Sequence, residues 1–103
     1  MNIREMNMKR ARALKLIRTH KAEFSPLGVK SLAIFGSTAR DEATSQSDVD
    51  ILVDFVGPAT FDRYMDLKFL LEEILGQPVD LVTRQALKPR LIPQIEKEAV
   101  YVA

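Results

Sequence analysis

Residues 29–55 read VKSLAIFGSTARDEATSQSDVDILVDF, and this stretch decides the fold. Val29 to Phe35 (VKSLAIF) is β-rich and mostly apolar, which predicts a strand. Gly36-Ser37 ends it, and residues 37–40 fit a short helical turn. Residues 41–47 (DEATSQS) are polar and read as a loop. Asp48 to Phe55 (DVDILVDF) predicts a second strand. Antiparallel neighbours joined by that loop would bring the Gly-Ser turn and the Asp-x-Asp opening to one end of a sheet.

Working outward, residues 3–24 predict a helix. Ile3, Met6, Ala13, Leu14 and Ile17 recur near a 3.6-residue period, with Lys and Arg on the other face. Ser25-Pro26-Leu27-Gly28 breaks it. Downstream, Gly57-Pro58 is a second break, and Thr60 suits the cap of a helix over 61–75. Its apolar stripe is Phe61, Tyr64, Leu67, Leu71, Ile74 and Leu75, with Gly76 at its end and Pro78 beyond. Val79 to Thr83 (VDLVT) predicts a third strand. Pro89 or Pro93 opens a last short helix towards Glu98, and Val100–Val102 reads as an edge strand. The order predicts one α/β (α+β) domain over 1–103, with a small mixed sheet of about four strands and helices packed on it.

Composition narrows the function. The 103 residues are 47% hydrophobic, which excludes wholesale disorder. No cysteine is present, so disulfides, thiolate metal sites and a Cys nucleophile are excluded. With His20 the only histidine, a His-rich zinc site has no ligands and a Ser-His-Asp triad hangs on one residue. His20 itself reads as an exposed helix residue. The net charge of +1 hides an asymmetry: residues 1–30 hold eight Lys/Arg and two acids, and the remainder is acidic. A basic helix face suits solvent, a partner or a nucleic acid. No long apolar run predicts a membrane span, and the charged start does not resemble a signal peptide, so a cytoplasmic protein is expected.

Charged residues inside apolar strands need a reason. Asp48 and Asp50 stand two apart, on one face of a strand and roughly 6.5–7 Å apart at Cα. Two carboxylates about 6 Å apart repel by roughly 3 kcal/mol at an effective dielectric near 20. No neighbouring cation in the local sequence offsets this, but a divalent ion would. Aspartate oxygens suit Mg²⁺ or Mn²⁺, which bind through one or two carboxylates and substrate phosphates. Asp80, second in VDLVT, adds a third carboxylate if its strand neighbours the second. Three carboxylates on adjacent strands provide a phosphoryl-transfer site, with Asp80 placed to take a proton from the attacking hydroxyl. The plainer reading makes all three solvent-facing acids at strand ends, as Asp54 and Asp62 are read.

Gly36 lets the backbone approach a phosphate, and Ser37 offers a hydroxyl and an N–H at a helical turn. Arg40 is placed to reach a phosphate oxygen or a nearby carboxylate. Ten residues, 38–47, separate Gly36-Ser37 from Asp48-Val49-Asp50.

That spacing resembles the signature of the DNA polymerase beta-like nucleotidyltransferase superfamily. Phe35-Gly36-Ser37-Thr38-Ala39-Arg40, Ser47-Asp48-Val49-Asp50-Ile51-Leu52-Val53 and Leu75-Gly76-Gln77-Pro78-Val79-Asp80-Leu81-Val82-Thr83 are similar to its minimal nucleotidyltransferase (MNT) branch. The resemblance spans residues 10 to 102. It implies that Gly36 and Ser37 bind nucleotide phosphates with Arg40 in support, that Asp48 and Asp50 hold Mg²⁺ or Mn²⁺, and that Asp80 completes the metal site and acts as general base. It further implies transfer of AMP from ATP to a tyrosine hydroxyl of a HEPN toxin encoded by an adjacent gene, silencing that toxin. Two positions depart from the pattern: Asp41 replaces a frequent glycine and adds negative charge near the phosphate site, and Thr38 replaces a small apolar residue.

Two other functions compete with this reading: an antitoxin acting by binding alone, and nucleotidyl transfer to a small molecule or an RNA end. Neither a membrane nor a nucleic acid is the expected partner. A homo-dimer or hetero-oligomer is compatible with the sequence, and Tyr101 in the edge strand suits either packing or strand pairing. Tyr64 reads as packing, with stacking on a base as its alternative.

Overall fold

A computed structural model describes residues 8–44 and 46–102. Four strands form one mixed sheet in the order β3-β2-β1-β4: β1 Val29–Phe35, β2 Val49–Phe55, β3 Val79–Thr83 and β4 Val100–Tyr101. β1 runs antiparallel to both β2 and β4, and β2 pairs in parallel with β3. The helices are α1 Arg10–Thr19, α2 Gly36–Ala39, α3 Phe61–Leu75 and α4 Ile92–Glu98. The parallel β2–β3 pair requires a crossover, and α3 supplies it.

Alternation along the strands sorts the two faces. Val49, Ile51, Val53 and Phe55 of β2 join Leu32 and Ile34 of β1 and Val79 and Leu81 of β3 in one core cluster. Ile17 of α1 and Leu67, Leu71 and Leu75 of α3 close that cluster from the helix side. A side chain of this kind contributes about 1.5–3 kcal/mol when fully buried. The alternate residues, Asp50, Leu52 and Asp54 on β2 and Asp80 on β3, therefore face the other way. On that second face Ala33 and Leu52 are buried, and α4 packs against β1.

The ends of α3 follow from two residues. Thr60 accepts a hydrogen bond from Arg63 N at 3.3 Å, and Gly76 closes the helix at φ 68°. Pro93 stands in the first turn of α4, after a 3₁₀ turn over Pro89–Leu91. The first helix is shorter than the expected span over residues 3–24. It ends at Thr19, and 3₁₀ turns over Lys21–Glu23 and Ser25–Leu27 replace its last segment. These turns deliver Phe24 into the core, where it is 5% exposed. Residues 3–7, including Ile3 and Met6, lie outside the described residues. Among the described residues no helix is long and apolar enough to cross a membrane.

Candidate active site

Register assembles the site. Phe35, the last residue of β1, lies opposite Asp50, and Asp50 lies beside Asp80 on β3. In-register parallel neighbours stand about 4.8 Å apart and point to one face. Asp48 precedes β2 and is exposed, Asp80 is exposed, and Asp50 is half-buried between them. Burial pushes the Asp50 carboxyl up to about 6, helped by the charge of Asp80 and hydrogen bonding with it, and by the charge of Asp48. Arg40 acts in the opposite direction. Arg40 is the weakest of these influences and the carboxyl stays raised, so the repulsion is not offset within the described residues.

The Gly36 turn is built around that carboxylate. Gly36 has φ 68°, and a Cβ there would collide with Oδ2 of Asp50. Both facts require glycine. α2 starts at once, so Ser37 stands in its first turn and Thr38 is fully buried behind it. Among the described residues, Thr38 Oγ1 has no hydrogen-bond partner.

Arg40 follows α2 and reaches two carboxylates. Its Nε donates to Glu42 at 2.9 Å and its Nη1 to Glu98 at 3.0 Å. The other oxygen of Glu98 accepts the Gly36 N–H at 2.9 Å. Glu98, the last residue of α4, was not singled out by the sequence. Its one local signal is an acid at a helix C-terminus, where the macrodipole disfavours negative charge.

Asp41 corrects an expectation. Its backbone is left-handed at φ 58°, as the frequent glycine at this position would allow. Its carboxylate turns towards α1, accepting Arg10 N at 2.7 Å and lying 3.8 Å from the Arg10 guanidinium. Lys9 makes no side-chain cap for α1, so Asp41 supplies one from 31 residues away. The charge expected at the phosphate turn is spent on a helix N-terminus and a cation.

Other candidates fall outside the site. Tyr64 donates to the carbonyl of Leu81 at 2.7 Å, which is the packing role. With Phe61 and Thr83 it lines a cavity of about 490 Å³ between the start of α3 and the end of β3, which contains no carboxylate. Tyr101 sits on β4 opposite Ala33, near the Glu96 carboxylate to which Arg84 donates at 2.6 Å. His20 follows α1, is half-exposed and pairs with Glu23.

The donor set fits a small hard cation. Among the described residues no three acidic or histidine side chains are gathered closely enough to hold an ion by themselves. Asp50 and Asp80 form the close pair, with Asp48 beside them. One or two carboxylates completed by substrate phosphates are the usual Mg²⁺ arrangement.

Comparison with known proteins places this geometry. Residues 15–102 match the model of the nucleotidyltransferase domain family. The protein adenylyltransferase MntA of Thermococcus cleftensis is 40% identical over 88 residues, covering 84% of this chain and 89% of the relative. A solved structure provisionally assigned as a minimal nucleotidyltransferase superposes with a TM-score of 0.72 at 36% identity, over 84% of this chain and 93% of that one. A chain from the complex of the tri-AMPylated Shewanella oneidensis HEPN toxin with MNT antitoxin has the same fold, with a TM-score of 0.63 at 18% identity over 87% of this chain and 71% of that one. With the carboxylates of β2 and β3 set against a Gly-Ser turn, the chain belongs to the nucleotidyltransferase domain family and is a nucleotidyltransferase.

Proposed function

We propose that this chain transfers AMP from ATP to a tyrosine hydroxyl of a HEPN toxin, encoded by an adjacent gene, and acts as that toxin's antitoxin. The observation that carries the reading is the in-register Asp50–Asp80 pair packed against the Gly36 turn. The 40% identity to a protein adenylyltransferase and the fold shared with an antitoxin of a HEPN toxin support the protein acceptor.

Each residue then has a task. Gly36 and Ser37 bind the triphosphate by close backbone approach, and Arg40 neutralises its charge. Asp48 and Asp50, with Asp80, would hold Mg²⁺ or Mn²⁺ together with the substrate phosphates. Bound there, the ion would neutralise phosphate charge and acidify the attacking hydroxyl. Asp80 accepts the tyrosine proton. The tyrosine oxygen forms its bond to the α-phosphorus as the bond to the bridging oxygen breaks, and pyrophosphate leaves with that electron pair. Catalysis is mainly positioning and charge neutralisation.

The test uses ATP labelled on the α-phosphate, Mg²⁺ and the product of the adjacent gene. Label should appear on that protein with wild type and vanish with Asp80→Asn or in excess chelator. A stable complex of the two proteins that acquires no label would establish an antitoxin acting by binding alone.

A further inference from the structure

Among the described residues, Glu98 is the one side chain that bonds to both Gly36 and Arg40, the two ends of the α2 turn. One oxygen accepts the backbone N–H of Gly36 at 2.9 Å, and the other accepts Nη1 of Arg40 at 3.0 Å. Gly36 in turn lies directly against the carboxylate of Asp50. We propose that Glu98 is a positioning residue for nucleotidyl transfer, setting the Gly36–Ser37 turn against Asp50 and aiming the Arg40 guanidinium at the triphosphate. This rests on the function proposed above.

Three observations carry it. First, the α4 backbone does not favour an acid at its last residue, because a helix C-terminus repels negative charge. The partners that stabilise Glu98 belong to the turn, 58 and 62 residues earlier in the chain. Second, the position of Glu98 is fixed independently. Immediately after α4, Val100 pairs with Ile34 of β1, and Val102 N donates to Leu32 O at 2.8 Å. The sheet thus fixes α4 relative to the end of β1, where the turn begins. Third, Arg40 is held without being consumed. Its Nε donates to Glu42 and one Nη1 donor to Glu98, which leaves three of five guanidinium donors, and the side chain is 46% exposed. Both donors of Nη2 and one of Nη1 remain to meet a phosphate. An exposed ion pair adds little to stability, so the consequence of this arrangement lies in orientation.

The experiment measures binding of a non-hydrolysable ATP analogue with Mg²⁺, and the KM and kcat of transfer, for wild type, Glu98→Ala, Glu98→Gln, Arg40→Ala and the Arg40→Ala/Glu98→Ala double variant. Glu98→Ala should weaken analogue binding about ten-fold and raise KM for ATP more than it lowers kcat. Glu98→Gln keeps an acceptor for the Gly36 N–H but drops the charge facing Arg40, and should fall between wild type and Glu98→Ala. Because part of the action of Glu98 runs through Arg40 and part through the Gly36 N–H, the double variant should lose more than Arg40→Ala alone but less than the two single losses combined. Binding by Glu98→Ala equal to wild type, in a preparation where Asp50→Asn has lost transfer, overturns this inference alone. Tighter binding by Glu98→Ala overturns it too, since the carboxylate would then be competing with phosphate. A wild type that fails to bind the analogue overturns the proposed function and this inference with it. If Glu98→Ala does not fold, Glu98→Gln decides, because wild-type binding in that variant is incompatible with a role through charge.

Discussion

Two glutamates perform one geometric task in different parts of the molecule. Glu72 on α3 accepts the backbone N–H of Val79 at 2.9 Å and the ammonium of Lys68 at 3.2 Å. Glu98 on α4 accepts the backbone N–H of Gly36 and the guanidinium of Arg40. Each fixes the residue beside which an acidic side chain stands: Asp80 follows Val79, and Asp50 touches Gly36. The cations differ. Lys68 is one helical turn from Glu72 and also donates to the carbonyl of Val79 at 2.7 Å, so it is spent on the protein. Arg40 is held from a distant element and keeps donors free. One clasp closes a piece of the fold, and the other presents a charge to whatever enters the turn.

The largest effect belongs to the carboxylate between them. Asp50→Asn should cut AMP transfer by about a thousand-fold or more, since it removes charge at the reacting centre. It should not weaken the fold. The carboxyl lies at about 6, above its ordinary value, so the folded state binds its proton more tightly than the unfolded chain does. Stability from this group is fully present at low pH and is lost as pH rises from about 4 through 6. Asp50→Asn should therefore flatten that stretch of the stability profile and raise the melting temperature at pH 7. Unchanged transfer would break the assignment of Asp50, and a lower melting temperature would break the account of its burial.

The next effect sharpens the contrast between the two clasps. Glu72→Ala should cost about 1–2 kcal/mol of stability, because it strands the Val79 N–H and frees Lys68. The Val79 N–H, then Lys68, holds the Glu72 carboxyl below its ordinary range. A depressed carboxyl contributes stability above its unfolded value, near 4.3, and loses it as pH falls through the folded value. The stability gap between wild type and Glu72→Ala should accordingly narrow in acid. ATP-analogue binding should follow Glu98 and ignore Glu72, except through misplacement of Asp80. A Glu72→Ala protein with wild-type stability and weakened nucleotide binding would reverse the two roles.

What was legible in the sequence was whatever has a local cause. β1, α3 and β3 have the expected bounds because their apolar periods are clear and Thr60 and Gly76 mark the ends of α3. The Gly-Ser turn and the Asp-x-Asp opening meet because antiparallel strands joined by one loop must bring them together. Asp80 joins them through the parallel β2–β3 register, a non-local pairing that the sequence offered only as a condition. α1 is shorter than the 3–24 span because its apolar period is clear only to Ile17, and two 3₁₀ turns then carry the chain past buried Phe24. Glu98 and the true direction of Asp41 were not legible, since their partners lie 62 and 31 residues away. Asp41 looked like a liability at a phosphate site because sequence proximity stood in for orientation. Its side chain was free to satisfy a helix N-terminus, and did so.

The smallest effect concerns the polar group that neither clasp reaches. Thr38 is fully buried in α2, one residue after Ser37, and among the described residues its hydroxyl has no partner. A buried hydroxyl without a hydrogen bond costs about 1–3 kcal/mol relative to water. Valine has nearly the same shape and volume and no polar atom. Thr38→Val should therefore raise stability by about 1 kcal/mol, which for a domain of this size moves the melting temperature upward by about 5 °C. Nucleotide binding should not change, because the side chain is turned into the protein while Ser37 and Arg40 meet solvent. A loss of stability in Thr38→Val would mean that the hydroxyl has a partner. A loss of analogue binding at unchanged stability would move Thr38 into the phosphate site, and Glu98 would then share control of the turn with a residue inside it.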